Sequence, residues 1–184
     1  AEAGRGALSL PGALTYSILP HTPHARDLAQ QAHASGREVM LHLPMQANSN
    51  KAMGPGGLYL GMGEAEFVRT LQANLDAVPH VAGVNNHMGS RLTRDPVARG
   101  RVMAGLRERG LFFVDSRTTG GSIAEQTAAR SGVATTRRHL FLDNHPSHPA
   151  VRRQYRKLLA LARRQGAALA IGHPHKATLT VLAR

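Results

Sequence analysis

The chain has 184 residues, 42% of them hydrophobic, which is the length of one ordinary domain with enough apolar content for a core. It contains no apolar run of about 18 residues, so no membrane span is expected, and its first residues lack the charged-then-apolar pattern of a signal peptide. Cysteine is absent, which excludes disulfides and thiolate metal sites but fits either redox compartment.

The formal net charge is +12, a value that raises nucleic acid as a partner. The 23 basic residues are mostly arginine and are spread along the whole chain, however, so compositional bias accounts for much of the charge. Four Phe and three Tyr leave few rings for stacking against bases. We therefore interpret the charge as a basic, solvated surface and expect no nucleic-acid partner.

Strand and helix patterns alternate along the chain. Short apolar runs that end at proline, glycine or polar residues predict six strands, over residues 13–19, 38–43, 81–84, 111–115, 139–143 and 167–172. Between them, apolar residues spaced three or four apart, most of them followed by a glycine, predict helices over residues 24–36, 64–78, 95–110, 122–132 and 148–166. A Gly/Pro-rich loop up to about residue 63 is longer than most connections.

This alternation predicts one α/β domain with a parallel sheet covered on both faces. Six strands without a linker or a break in composition fit either an open doubly wound sheet or a barrel. Periodicity alone does not separate these two architectures.

Polar and titratable residues recur after the predicted strands, where sites of parallel α/β folds lie. His42, His87 and His173 lie at the ends of three different predicted strands. Neutral imidazoles that converge with a carboxylate suit Zn²⁺ or a similar first-row metal. Each residue also has an ordinary interpretation, since a single histidine at a strand end is often only hydrogen-bonded and an aspartate such as Asp115 or Asp143 can cap the next helix.

Six segments together resemble the divergent polysaccharide deacetylase family, a branch of the NodB-like carbohydrate esterases. In chain order they are LPGALTYSILPH, GREVMLHLPM, GVNNHMGSRLT, FFVDSRT, HLFLDN and AIGHPHKATLTVL. The resemblance runs from about Leu10 to the C-terminus. It implies a single domain over residues 1–184 with the α/β fold of a deformed (β/α) barrel of about six to seven parallel strands.

The resemblance also implies a metal site, with Zn²⁺ as the expected ion. His42 ends the segment similar to the one that carries the first metal-binding histidine. The second histidine of the wider superfamily lies four residues further on, where this chain has Gln46. His87 is therefore the expected second ligand.

The remaining site residues follow from the same resemblance. The segment around His173 is similar to the motif of the general acid, and Asp115 is the expected catalytic carboxylate, which orients such a histidine or contacts substrate. Asn85, Asn86 and Ser90 are expected to bind substrate or to orient His87, and Arg117 is expected to bind substrate.

The sequence departs from the family pattern at its start. Family members begin with a strand that ends in Asp-Asp-x-Gly, which supplies the metal carboxylate and the general base. The first acidic residue here is Glu2, with no strand pattern before it. The first strand and its aspartates are therefore expected to be missing, because the chain is either a fragment of a longer product or a homologue that has lost the motif.

The implied activity is metal-assisted hydrolysis of N-acetyl groups on a polysaccharide, in an extracytoplasmic location. A bound metal would lower the pKa of a water to about 7, and His173 would protonate the leaving amine. The alternative is a non-catalytic glycan-binding or envelope-binding homologue, which the departure at the start and Gln46 favour.

Overall fold

The computed structural model describes residues 2–49 and 51–183. They form two compact units, which we call the central unit (residues 15–136) and the terminal unit (residues 1–14 with 137–184). The prediction of a single domain over residues 1–184 stays a prediction.

The central unit alternates strands and helices, as predicted. Its strands are β1 (Thr15–Ile18), β2 (Glu38–Met45), β3 (Val81–Met88), β4 (Phe112–Asp115) and β5 (Thr135–Arg137, whose last residue belongs to the terminal unit). Its helices are α2 (Ala25–Ala34), α3 (Glu64–Ala77), α4 (Pro96–Glu108) and α5 (Ala124–Arg130), with a 3₁₀ turn over Leu92–Arg94. The terminal unit contains α1 (Glu2–Leu8), β6 (Leu140–Phe141), α6 (His148–Gln165), β7 (Ala170–Ile171) and α7 (Lys176–Leu182).

The sheet topology confirms the parallel α/β class. The five strands of the central unit lie in the order β1-β2-β3-β4-β5, and the first three neighbouring pairs are parallel. A doubly wound sheet would reverse its strand order at a switch point, whereas consecutive order is the arrangement of a barrel wall. β6 and β7 pair in parallel in the terminal unit.

Apolar residues explain why these elements pack as they do. In the central unit β2 is buried along nearly its whole length, with Leu41 and Leu43 fully buried, and Phe67 and Leu71 of α3 are buried as well. Asp95 begins α4 as an N-cap, accepting a hydrogen bond from the Ala98 N–H at 2.8 Å. The terminal unit has its own small core, formed by Leu142, Val151 and Val181.

Two strands are longer than the apolar pattern predicts. β2 continues through residue 45 and β3 through residue 88. The polar run that starts at Asn85 therefore belongs to a strand, since Asn85 and His87 pair in register with β2. The sequence pattern does not predict β5, α1 or α7. β5 has the polar sequence TTR and α1 contains no buried residue, so neither shows an apolar pattern.

Candidate functional site

The sheet of the central unit aligns polar side chains from four neighbouring strands. His42 pairs directly with Asn85 across β2 and β3. Ser17 pairs with Met40, which lies two residues before His42. His87 lies two residues after Asn85. Ser116 lies two residues after Val114, the β4 partner of Asn85. Because side chains alternate between faces along a strand, these residues belong to one face of the sheet.

A hydrogen-bonded chain connects these side chains. The Oδ1 atom of Asn85 accepts from the Ser17 hydroxyl and lies 2.9 Å from Nδ1 of His42. The Nδ2 atom of Asn85 donates to Ser116 Oγ at 3.0 Å. Nε2 of His42 lies 3.0 Å from Nδ1 of His87. Since an amide oxygen only accepts, His42 carries its proton on Nδ1, and its Nε2 lone pair faces His87 when the ring is neutral.

The two imidazoles meet the geometric requirement for two ligands of one metal ion. Ligand nitrogens at roughly 2.0–2.1 Å from a metal lie about 2.9–3.4 Å apart for angles between 90° and the tetrahedral value, and the His42–His87 separation is 3.0 Å. Asn85 supplies the kind of hydrogen bond that fixes the tautomer of a metal-binding histidine. No third His, Asp or Glu of the described chain joins this pair in a group of three donors.

Asn86 and Ser90 form hydrogen bonds to backbone groups of segments near this site. Asn86 is 1% exposed, and its amide donates to the Met88 carbonyl at 2.8 Å and accepts from the Ser116 N–H at 2.8 Å. The Ser90 hydroxyl accepts from the backbone N–H of Asn48 at 2.9 Å. Substrate binding by Asn85, Asn86 and Ser90 stays a prediction.

Gln46 has a structural role at the position where the wider superfamily has a histidine. Its Oε1 accepts from the Leu60 N–H at 2.9 Å, and its backbone carbonyl accepts from the N–H groups of Arg91 and Leu92. Gln46 thus ties the long loop before α3 and the segment after β3 to the end of β2.

Both carboxylate oxygens of Asp115 accept hydrogen bonds from residues that follow it closely in the chain. Oδ1 accepts from the Arg117 N–H at 2.8 Å, and Oδ2 accepts from the Ser122 hydroxyl at 2.7 Å and the Glu125 N–H at 3.4 Å. Alternation along β4 places this side chain on the sheet face opposite Asn85. Asp115 therefore shapes the segment that contains Arg117, whose φ is +46°. The predicted catalytic role of Asp115 and the substrate-binding role of Arg117 stay predictions.

The carboxylate bonded to His173 is that of Asp143, in the terminal unit. Asp143 Oδ1 lies 2.9 Å from His173 Nδ1, and Oδ2 accepts from the His173 N–H at 2.5 Å and the Thr178 hydroxyl at 2.9 Å. The Asp143 side chain is 1% exposed and that of His173 is 52% exposed. A buried carboxylate thus orients a histidine that solvent reaches.

The two partners shift each other's pKa in opposite directions. The hydrogen bond to Asp143 raises the pKa of His173 above its ordinary value, against partial burial, which lowers it. Burial raises the pKa of Asp143, but hydrogen bonds from the ring and backbone of His173 and from Thr178 outweigh burial, and the pKa is lowered. Both groups are therefore charged between their ordinary pKa values of 3.8 and 6.5.

Sequence reasoning considered Asp143 only as a helix cap, although its strand-end position was the same signal that singled out Asp115. His175, two residues after His173, was not singled out. Donor atoms of Asp143, His173 and His175 lie within 4.8 Å of one another, so these residues could also hold a metal ion. They form the only such group of three in the part of the chain that the structure describes.

Two bacterial proteins are similar in sequence to this chain along nearly its whole length. The chain is 39% identical over 175 residues to the uncharacterized protein YibQ of Escherichia coli (strain K12) and 40% identical over 174 residues to an uncharacterized protein of Haemophilus influenzae. Each alignment covers 95% of this chain, which spans only 55% and 62% of the two relatives.

A solved structure has the same fold. The crystal structure of the uncharacterized protein ATU2773 from Agrobacterium tumefaciens C58 superposes with a TM-score of 0.94 at 21% identity, over 99% of this chain and 75% of that one. The fold is consistent with the deformed barrel that the resemblance implied. No helix within residues 2–49 and 51–183 combines the length and the hydropathy needed to cross a bilayer.

The family itself follows from a match along the whole sequence. The family model described as "Divergent polysaccharide deacetylase" matches residues 1–184, the same family that the six segments resemble. The chain therefore belongs to the divergent polysaccharide deacetylase family.

Proposed function

We propose that this protein is a metal-dependent deacetylase that hydrolyses N-acetyl groups of an envelope or extracellular glycan. The observation that supports this proposal most is the pair of His173 and Asp143, in which a buried carboxylate orients a half-exposed imidazole. A group of this kind, in a member of this family, suits proton delivery to a leaving amine.

His42 and His87 are the residues we assign to the metal, with Zn²⁺ as the proposed ion. The separation of their facing nitrogens fits two ligands of one ion, and the hydrogen bond between Asn85 and His42 directs His42 Nε2 towards His87. A bound divalent cation would polarise the acetyl carbonyl and lower the pKa of a water to about 7.

The proton chemistry belongs to His173. Because Nδ1 faces Asp143, Nε2 is the atom that donates a proton to the leaving nitrogen. Asp143 keeps the ring in position and stabilises its protonated form, so the acid is charged before the C–N bond breaks. Asp143 is thus a positioning residue.

Some polar residues of the central unit are assigned to positioning and others to binding the sugar. Asn85 and Asn86 are buried, so we assign them the positioning of the histidines and of the β3 end. Ser90 and Arg117 are partly exposed and are proposed to hydrogen-bond the sugar. Asp115 is proposed to act by holding the segment that contains Arg117.

The proposed location is extracytoplasmic, in the periplasm or envelope. The polysaccharide substrate class that the family description names is the support for that location. No nucleic-acid partner is proposed.

Acetate release tests the proposed activity. Zn²⁺-loaded protein is incubated with oligomers of N-acetylglucosamine, and acetate and free amine are measured by enzymatic assay and mass spectrometry. Wild type is expected to release both, and His173→Ala is expected to lose at least a hundredfold in rate. Equal rates in wild type and H173A would contradict the assigned acid.

The second candidate is a glycan-binding homologue without hydrolysis. Two observations favour it. The facing nitrogens of His42 and His87 already lie at hydrogen-bond distance from each other. Gln46, at the position of the superfamily's second metal-binding histidine, accepts a hydrogen bond from the Leu60 N–H. Oligosaccharide binding without acetate release, by protein shown to contain the metal, would support this function over the enzyme. The coding sequence upstream of Ala1 offers a further check, since an Asp-Asp-x-Gly motif there would favour the enzyme.

A further inference from the structure

The helix α6 exposes a dense group of cations along one side. Its solvent-facing residues line an open groove of about 600 Å³. The groove residues, which we call the α6 groove, are His148, Pro149, Arg152, Arg153, Arg156, Lys157 and Ala160. Its arginines and its lysine are all exposed.

These cations have no acidic partner within their own helix. α6 contains no Asp or Glu, and none of the ion pairs found among the described residues involves an α6 side chain. The neighbouring sequence does not compensate either, because residues 137–183 contain nine Lys and Arg and one acidic residue, Asp143, which His173 already engages.

The spacing of the cations opposes helix stability. Arg152 and Arg156 are four residues apart, as are Arg153 and Lys157. Like charges at this spacing lie on the same helix face and destabilise a helix by a few tenths of a kcal/mol per pair. A bound polyanion would remove this repulsion.

The opposite side of α6 is already occupied, which fixes the orientation of the cations. Val151 is fully buried and packs in the core of the terminal unit with Leu142 and Val181. Tyr155 packs against the same core. The helix therefore cannot rotate its basic side inward, and the α6 groove faces solvent.

The chemistry of the α6 groove favours one class of ligand. Guanidinium groups bind carboxylates and phosphates through paired hydrogen bonds. No Phe, Tyr or Trp lines the groove, so it offers no ring for base stacking. It also lacks the large apolar side chains that insert into a lipid interface.

We propose that the α6 groove binds an acidic glycan chain through the carboxylate or phosphate groups of successive sugars. The negative charge of the ligand follows from α6 itself, while the choice of a glycan rests on the proposed function. The groove is thus a polymer-binding surface that adds affinity for a charged glycan.

Binding by the intact protein tests this proposal with three anionic probes. Fluorescence anisotropy measures binding of labelled oligogalacturonate, a phosphorylated mannan oligomer and a single-stranded 20-nucleotide DNA, and co-sedimentation measures binding to vesicles that contain anionic lipid. We expect R152E/R156E to weaken binding of an acidic glycan at least tenfold. The matched control R26E/R69E makes the same charge change at exposed positions of α2 and α3 and is expected to change affinity less than threefold.

Each outcome decides for or against the α6 groove. If R152E/R156E loses more affinity for oligogalacturonate than for the phosphorylated mannan, the groove binds carboxylates. A larger loss for the phosphorylated mannan would show that it binds phosphates. Equal losses in R152E/R156E and the control would overturn the proposal, as would tighter binding of DNA or vesicles than of both glycans. The variant R152Q/R156Q, with its melting temperature measured, separates lost binding from lost folding.

The same variants separate this proposal from the proposed enzyme function. Acetate release from a short neutral oligosaccharide is expected to be unchanged in R152E/R156E, because its substrate has no charge for the groove to bind. If no variant releases acetate but R152E/R156E still loses glycan affinity, the groove stands and the enzyme function fails.

Discussion

Nε2 of His42 lies 3.0 Å from Nδ1 of His87, and the two rings come from neighbouring parallel strands that a sequence separation of 45 residues keeps far apart along the chain. Asn85, directly opposite His42 in the register, holds the other nitrogen of His42. One buried amide thus determines which lone pair His42 presents to a ligand. The site can be tested one group at a time.

Removing either imidazole is expected to abolish stoichiometric metal. In His42→Ala and His87→Ala one ligand is lost, so elemental analysis after dialysis should show less than a tenth of the wild-type Zn²⁺ content. His33→Ala is the matched control, because His33 is an exposed histidine that stacks on His80, and it should keep its metal.

The cluster of Asp143, His173 and His175 offers the competing location for the metal. We expect His175→Ala to retain full metal content. If the metal persists in both H42A and H87A but is lost in H175A, the metal site lies in the terminal unit.

Replacing Asn85 by alanine should weaken both the fold and the metal. Asn85 is 4% exposed and bonds to Ser17, His42 and Ser116, so its loss should cost about 1–3 kcal/mol in the free energy of unfolding. Loss of a hydrogen bond behind a metal ligand typically lowers metal affinity about 10–100-fold.

Asn74→Ala is the control, since Asn74 is also buried but is hydrogen-bonded to His21 and Gly56. It should reduce stability and leave metal affinity unchanged. Equal metal affinity in N85A and N74A would show that Asn85 does not tune His42.

The His173–Asp143 pair predicts a specific pH dependence of stability. The pKa of His173 is raised above 6.5, so its contribution is complete below pH 6.5 and is lost as the pH rises through the raised pKa. The pKa of Asp143 is lowered below 3.8, so its contribution is complete above pH 3.8 and is lost as the pH falls through the lowered pKa. The pair thus stabilises the protein most between these ordinary values, and denaturant unfolding at a series of pH values should show this plateau.

NMR titration of the His173 ring checks the cause. Asp143→Asn removes the charge and should shift the His173 titration to lower pH, and the basic limb of any rate profile should move with it. Thr178→Val removes one hydrogen bond to Asp143 but keeps its charge, so the His173 titration should change little. Unchanged titration in D143N would mean that Asp143 does not set the pKa.

A glycine in β3 tests the packing of the strand that contains His87. A Cβ at Gly83 would lie 2.3 Å from the Phe112 ring of β4, so Gly83→Ala should destabilise the protein by about 1–3 kcal/mol. Gly100 lies inside α4 with no atom within 4 Å of an added Cβ, and Gly100→Ala should stabilise by about 0.5–1 kcal/mol. Thermal unfolding of both variants measures the difference in sign.

The elements that could be predicted are those with strong periodicity. The spacing of Phe67 and Leu71 defined α3 to within one residue of its observed end. β3 was predicted too short, because a pattern of apolar residues does not count Asn85 or His87 as strand residues, and only pairing with β2 shows that they are. β5 has the sequence TTR, which contains no apolar residue to mark it as a strand.

The sequence by itself determined the α/β class and the family, since these depend on local patterns and on the order of short motifs. Only the tertiary structure decided which residues are partners. It paired His173 with Asp143 and engaged Asp115 with its own loop, because hydrogen bonds between strands depend on register and on the face a side chain takes. It also placed the unpaired arginines of α6 on one groove, since the burial of Val151 sets the orientation of the helix.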